Sequence, residues 1–249
     1  MGRLRAPWRL LVLVVQLLRG LWLAGVRMPR LDAAARHAIV RDWSTQTLAG
    51  LGVELRVSGT PHAGAVLLVA NHVSWLDIPA LHAAAPQARF VSKAAIAHWP
   101  LVGALARAGG TLFIERERKR DALRVVHEVA AALREGQAVA VFPEGTTGPG
   151  DSVLPFHANL LQAAITTGTV VQPIVLRYSE PGHPVSIAAQ YIDDVTLGES
   201  LMKVCRARDL LVDVRFLPVE PAGELDRRVL AETLRQRIEV ELRAIDRSA

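Results

Sequence analysis

The sequence predicts an α/β fold, a single domain with a largely parallel or mixed central sheet flanked by helices. Two observations carry this. From residue 53 onward, short apolar runs of strand length alternate with stretches of helical periodicity, as strand–helix units require. The runs are also nearly continuous in Val, Leu, Ile and Ala, which suits strands covered on both faces.

In chain order, the first element is the apolar run 8–26, WRLLVLVVQLLRGLWLAGV. A secretory signal is disfavoured because Arg19 interrupts the apolar region and no small-x-small cleavage site follows. A membrane-spanning helix needs about 20 apolar residues, and Arg9, Gln16 and Arg19 lie inside the candidate stretch. At helical spacing Arg5, Arg9, Gln16, Arg19 and Arg27 gather on one arc, which Val12 and Leu23 share. Trp8, Leu11, Val14, Leu18, Leu21 and Trp22 lie outside it. A basic face opposite a Trp/Leu face is the pattern of a helix embedded in one leaflet, and this reading is preferred to spanning. Residues 28–52 predict a second helix stopped by Gly50 and Gly52. Residues 1–50 are thus assigned to a membrane-associating helical arm, and 51–249 to the α/β domain.

Within that domain the strand candidates are 53–59, 65–70, 88–93, 111–116, 138–143, 170–178 and 210–218. Helices are expected at 77–85, 100–108, 119–135, 157–167 and 223–246, the last from Leu230, Leu234, Ile238, Leu242 and Ile245 at helical spacing. The segment 146–155, TTGPGDSVLP, is rich in turn residues and reads as a loop.

Composition narrows the function classes. At 51% hydrophobic and 21% charged residues, the chain is not of the disordered class. Cys205 is the one cysteine, so an intrachain disulfide and a zinc–thiolate cluster are excluded; it reads as a small apolar filler in a reducing, cytoplasmic setting. Residues 1–50 hold eight arginines against Asp32 and Asp42, a net of +6, which leaves −1 for the rest of the +5 chain. The basic character therefore belongs to the arm. Its apolar content favours an anionic bilayer over nucleic acid as partner.

Reactive side chains follow three of the apolar runs: NHVSWLD (71–77), ER (115–116) and PEGTT (143–147). In open α/β sheets ligands bind beyond the carboxyl ends of the strands. His72 and Asp77 form an H-x4-D pair, in which Asp77 can hold the Nδ1 proton and leave Nε2 to accept one. A local reading competes: Ser74 as helix N-cap with Asp77 completing a capping box. It leaves His72 idle. H-x4-D lacks the third ligand of a usual metal site, and no G-x-S-x-G elbow exists for a serine triad. Arg116 is either a surface ion-pair partner or a bidentate phosphate fork. Glu144 is either a solvated loop carboxylate or a site residue. Lys93, after the 88–93 run, binds an anion or is merely solvated, and the two readings are even. His98 and His157 read as bland.

In combination NHVSWLD, GTLFIER, FPEGTT and VVQPIVL, in that order, resemble the four sequence blocks of the glycerolipid acyltransferase family, over about residues 65–178. The resemblance implies acyl transfer to the free sn-2 hydroxyl of 1-acyl-sn-glycerol-3-phosphate, giving phosphatidic acid, or to another lyso-lipid (a lyso-ornithine lipid or lysophospholipid), with no acyl-enzyme. The alternative of another class is a hydrolase that uses the same dyad to activate water against an acyl thioester or lipid ester. It implies His72 as general base, Asp77 as its orienting acid, and Arg116 and Glu144 as acceptor-binding residues. Gly145 and Thr146 shape the acceptor pocket. The donor is an acyl thioester of coenzyme A or acyl carrier protein. No metal and no bound cofactor is implied, and the place of action is the cytoplasmic face of the inner membrane. Ser74 keeps the capping role. The chain departs from the family pattern at Thr147, where arginine is frequent, and at FHAN (156–159), where F-K-x-G is common.

Overall fold

The computed structural model describes residues 5–114, 119–223 and 226–246. Among the described residues, seven strands appear where the apolar runs predict them: β1 (Val53–Ser58), β2 (Val66–Ala70), β3 (Arg89–Lys93), β4 (Leu112–Ile114), β5 (Ala138–Val141), β6 (Val171–Ser179) and β7 (Leu210–Phe216). They form one sheet in the order β1-β7-β6-β2-β5-β3-β4. All pairings are parallel except β6–β7. The fold is therefore the expected mixed α/β sheet, and β2, β5 and β3 open side by side on one edge.

Among the described residues, nine α-helices surround the sheet: α1 (Arg5–Trp22), α2 (Ala33–Leu51), α3 (Asp77–Ala84), α4 (Ala94–Ala97), α5 (Val102–Ala108), α6 (Lys119–Arg134), α7 (Leu161–Thr167), α8 (Leu197–Arg206) and α9 (Arg227–Asp246). Successive strand residues point to opposite faces, and the core divides accordingly. Val66, Leu68 and Ala70 pack with Leu48 and Leu51 of α2, Leu81 of α3 and Val204 of α8. Leu67 and Val69 pack with Leu133 of α6, Leu161 of α7 and Leu234 and Ile238 of α9. Cys205 is a fully buried member of the first cluster.

Some boundaries move. The helix expected from 157 begins at Leu161, because the His157 amide is committed to the Pro143 carbonyl at 2.8 Å. The last helix begins at Arg227 rather than 223. Helices α4 and α8 lie outside the predicted elements, although Thr196 and Glu199 form a full capping box at the start of α8.

The arm is a helical hairpin. After α1 the chain passes through a π turn (Leu23–Arg27) and a 3-10 turn (Met28–Arg30). It then enters α2, whose N-cap Asp32 accepts from the Ala35 amide at 2.8 Å. The two helices run antiparallel, and they cross closely at Gly20, where a Cβ would lie 2.7 Å from the Trp43 indole nitrogen. Arg9 donates to the carbonyls of Ala207 (2.7 Å) and Cys205 (3.2 Å), and Arg19 donates to Gln46 (2.6 Å). Much of the polar arc of α1 thus faces the protein. Leu23, one of the two apolar residues on that arc, is buried, and Val12, the other, packs over Gly50. Trp8, Leu11, Val14, Val15, Leu18 and Trp22 are exposed.

Candidate active site

The site begins where β2 ends. The Asn71 side chain donates to the Leu176 carbonyl (2.9 Å) and accepts from its amide (2.8 Å), which ties the strand exit to β6. The chain then turns through 72–76 into α3, and Asp77 comes back beneath the turn. Its Oδ2 accepts from His72 Nδ1 (2.7 Å) and from the amides of Val73 (2.7 Å) and Ser74 (2.9 Å). Its Oδ1 accepts from the Tyr178 hydroxyl at 2.7 Å. Asp77 is fully buried, while the His72 side chain keeps 21% of its exposure. Two backbone amides and a phenol fix the carboxylate as an acceptor, so Nδ1 carries the ring proton and Nε2 is left with its lone pair. The imidazole stacks on Phe142, just beyond β5, with ring centroids 4.1 Å apart.

Ser74 is not the cap that the sequence suggested. The residue preceding α3 is Leu76, with no side-chain cap, and the buried Ser74 hydroxyl makes no hydrogen bond. Half of the expected capping box is present, the Asp77 carboxylate accepting from the Ser74 amide, but the Asp77 amide donates to the Ser74 carbonyl at 3.1 Å and not to its hydroxyl.

Glu144 lies under the loop that follows β5. Its Oε1 accepts from the His72 amide at 2.6 Å and its Oε2 from the Leu154 amide at 2.9 Å. It is only 4% exposed. Burial pushes its carboxyl up from 4.5 to about 7, against the opposing pull of the Leu154 and His72 amides. With both oxygens committed to backbone, Glu144 reaches an acceptor only through the loop it holds. Gly145 supplies the positive φ (+72°) of the turn after it, and Thr146 is exposed. Thr147 donates to the Tyr191 carbonyl, and the Gly148 amide donates to the His72 carbonyl at 2.7 Å. The buried Arg177 of β6 donates to the Gly150 carbonyl at 2.5 Å. The 146–155 loop is therefore laced to the His72 turn.

Lys93 ends β3, next to β5, with its side chain in solvent. It pairs in register with Ile114, the last residue of β4. Arg116 and Glu115 lie outside the described residues. Strand β4 is separated from β5 by β3, so the second block leaves the sheet two strands from the third. A cleft of about 280 Å³ opens beside the His72–Phe142 stack, lined by Ile114, Val125, Phe142, Gly145, His157 and Leu160 among others. Asn71, Phe142 and Tyr178 are the site members that sequence reasoning missed. Phe142 and Tyr178 lay unmarked inside the predicted strands 138–143 and 170–178, and nothing in the sequence pairs Tyr178 with Asp77.

A family profile described as Acyltransferase matches residues 54–177. A lyso-ornithine lipid O-acyltransferase of Pseudomonas aeruginosa is 38% identical over 248 residues, covering 97% of this chain and 95% of that protein. A 1-acyl-sn-glycerol-3-phosphate acyltransferase of Neisseria meningitidis serogroup B is 36% identical over 214 residues, covering 85% and 82%. The fold matches the crystal structure of PlsC, a 1-acyl-sn-glycerophosphate acyltransferase of Thermotoga maritima, with a TM-score of 0.70, 18% identity, and coverage of 98% and 95%. The chain belongs to the acyltransferase family. These two curated relatives are, by name, lyso-lipid acyltransferases.

Proposed function

We propose that the protein transfers an acyl group from a thioester of coenzyme A or acyl carrier protein to the free hydroxyl of a lyso-lipid. The observation that carries this is the His72–Asp77 pair, held at 2.7 Å on the carboxyl edge of β2 and aimed by Tyr178. His72 Nε2 takes the hydroxyl proton as the oxygen attacks the thioester carbonyl. Asp77 holds the imidazolium that forms. The carbon–oxygen bond forms, the carbon–sulfur bond breaks, and the proton passes from Nε2 to the departing sulfur. No acyl-enzyme intervenes, and no bound cofactor takes part.

We assign 1-acyl-sn-glycerol-3-phosphate as the acceptor, with Arg116 and Lys93 as its phosphate ligands and Gly145 and Thr146 as pocket wall; the Neisseria relative's name supports this. A second reading, a lyso-ornithine lipid, is favoured by the relative matched over nearly its whole length and by Thr147, whose hydroxyl is spent on the Tyr191 carbonyl. The enzyme acts at the cytoplasmic face of the inner membrane. Its exposed Trp/Leu ridge lies in one leaflet, because α1 packs along α2, with Arg9 turned to the domain and Arg19 to α2, instead of leaving it. Nucleic acid is not a partner.

Thiol release by the purified full-length protein, with one acyl donor and a panel of lyso-lipids, tests the proposal. Release that depends on the lyso-lipid, and a loss of ~10²–10⁴-fold in His72→Ala, are expected. Release indifferent to acceptor would make the protein a thioester hydrolase.

A further inference from the structure

Between α4 and α5, at the end of the sheet where His72 lies, the chain makes a short turn, His98–Val102. Leu101 has φ 65° and ψ −55°, and the Val102 amide donates to the Pro100 carbonyl at 2.7 Å. This is the positive-φ γ-turn, rare and strained for any residue with a Cβ. Its apex nonetheless carries leucine and not glycine. Trp99 (41%), Leu101 (47%) and Val102 (37%) all stand in solvent. The amides of His98, Trp99, Val102 and Gly103 are bonded within the segment, and Pro100 has none. Arg107 clamps the base through the Ala97 carbonyl at 2.7 Å. The turn therefore presents an apolar tip whose backbone donors are largely satisfied, as entry into lipid demands.

Two further features bear on what covers the tip. From Ile78 to Ile114 the chain has no acidic residue, and its cationic side chains are Arg89, Lys93 and Arg107. Helix α5, which starts at this turn, also packs on the arm, where Leu105 meets α1 at Gly20. The tip thus adjoins the helix whose Trp/Leu ridge is exposed.

We propose that the 98–102 turn is a second membrane contact. Trp99, Leu101 and Val102 enter the lipid, and the exposed Arg107 meets anionic headgroups. This rests on the membrane enzyme read above and adds to it. The arm attaches the chain, while the turn brings the edge carrying His72 against the bilayer in which an amphiphilic acceptor resides. Tryptophan suits the interfacial level. The acid-free, basic flanks favour an anionic bilayer over a second copy of this chain.

Cys205 is fully buried, so a cysteine introduced at the surface is the reactive one. Leu101→Cys, Val102→Cys and Val240→Cys, the last on α9 across the sheet, are labelled in the full chain with a polarity-sensitive fluorophore. Each is mixed with vesicles of phosphatidylcholine alone or with phosphatidylglycerol. The expected result is a blue-shifted, brighter emission at 101 and 102, stronger with phosphatidylglycerol, quenched by brominated lipid, and absent at 240. Co-sedimentation runs alongside. If the protein sediments with vesicles while the 101 and 102 labels still report water, the turn is not a membrane contact and the arm reading survives. If nothing sediments, both readings fall. An emission change that follows protein concentration without vesicles would assign the turn to self-association and overturn the proposal. In a matching activity arm, Trp99→Ser/Leu101→Ser should lose about tenfold or more on vesicle-borne acceptor, as expected when large apolar side chains no longer leave water. It should keep normal turnover on a dispersed short-chain acceptor.

Discussion

The Tyr178 hydroxyl, on β6, donates to Oδ1 of Asp77, at the start of α3, across 2.7 Å of fully buried space. With the Val73 and Ser74 amides on Oδ2, it leaves the carboxylate one orientation in which to meet His72. Burial, and then the neighbouring Asp77, holds the phenol well above the ordinary tyrosine range, so it stays a donor.

Tyr178→Phe removes that donor and little else. One charge-assisted bond is lost, and a buried carboxylate oxygen is left unpaired, which costs roughly 1–3 kcal/mol. The expected outcome is a lower melting temperature and a kcat reduced about tenfold, with KM for both substrates nearly unchanged. Steady-state kinetics beside thermal unfolding measures this. Wild-type kcat in a folded Tyr178→Phe would show that Asp77 needs no such aiming.

Glu144 makes a prediction about pH. Its carboxyl is raised to about 7 from 4.5, with burial the first cause. The folded state therefore binds a proton more tightly than the unfolded state. Its stabilising contribution is full below about pH 4.5 and is lost as pH rises through about 7. The swing is on the order of 3 kcal/mol. Glu144→Gln cannot ionise, so the difference in unfolding free energy between variant and wild type should change across that window. Denaturant unfolding at pH 5 and pH 8 reads it. The same variant sets an amide NH₂ against a backbone N–H, at His72 or at Leu154. Turnover should fall with every acceptor tested. A defect confined to KM for one lyso-lipid would mean that Glu144 binds the acceptor directly.

The arm invites surface changes in preference to deletion. Removing residues 1–28 would also strip Arg9 from the Cys205 and Ala207 carbonyls and expose core. Trp8→Gln, Leu11→Gln and Leu18→Gln alter only exposed positions. Fully burying each such side chain is worth roughly 1.5–3 kcal/mol, so the triple variant should leave membranes on fractionation while keeping its circular dichroism and melting temperature. High salt alone should release little wild type, because burial adds to the electrostatic term. Retention of the folded triple variant would place the anchor elsewhere.

Much of the architecture was legible in the sequence for a simple reason. Strands covered on both faces must be apolar at nearly every position, and β2 and β5 are buried throughout. The His72–Asp77 approach was legible as well, because five residues spanning a strand exit and a first helical turn bring the two ends together. Tyr178 and Asn71 were not, since their partners lie about a hundred positions away and are joined only by the β2–β6 pairing. The position of Glu144 was hidden in a different way. FPEGTT looks the same whether its carboxylate faces a ligand or clasps two backbone amides, and only the fold decides. The facing of α1 was hidden for a third reason. An amphipathic helix shows two sides but not which one the domain covers, and Val12 and Leu23 on the polar arc were the available hint.

The acceptor's head group is the finest question, and Arg116 is the residue to ask. The chain lacks the arginine frequent in relatives at Thr147, and His157 stands on the wall of the cleft, its amide committed to Pro143. A phosphomonoester acceptor would lean on Arg116, with Lys93 at the carboxyl end of β3. Charge-assisted bonds to phosphate are worth roughly 1.5–3 kcal/mol each. Losing a bidentate grip in Arg116→Ala should therefore lower kcat/KM for 1-acyl-sn-glycerol-3-phosphate by about two orders of magnitude or more. Arg116→Lys should recover only part, since a point charge does not reproduce the fork. A lyso-ornithine lipid has no phosphate, so its use should barely respond to either change. The two acceptors, assayed side by side in wild type and both variants, separate the readings. If wild type prefers the lyso-ornithine lipid and Arg116→Ala leaves that preference intact, the phosphate assignment is wrong and Thr147 was the better guide to the substrate.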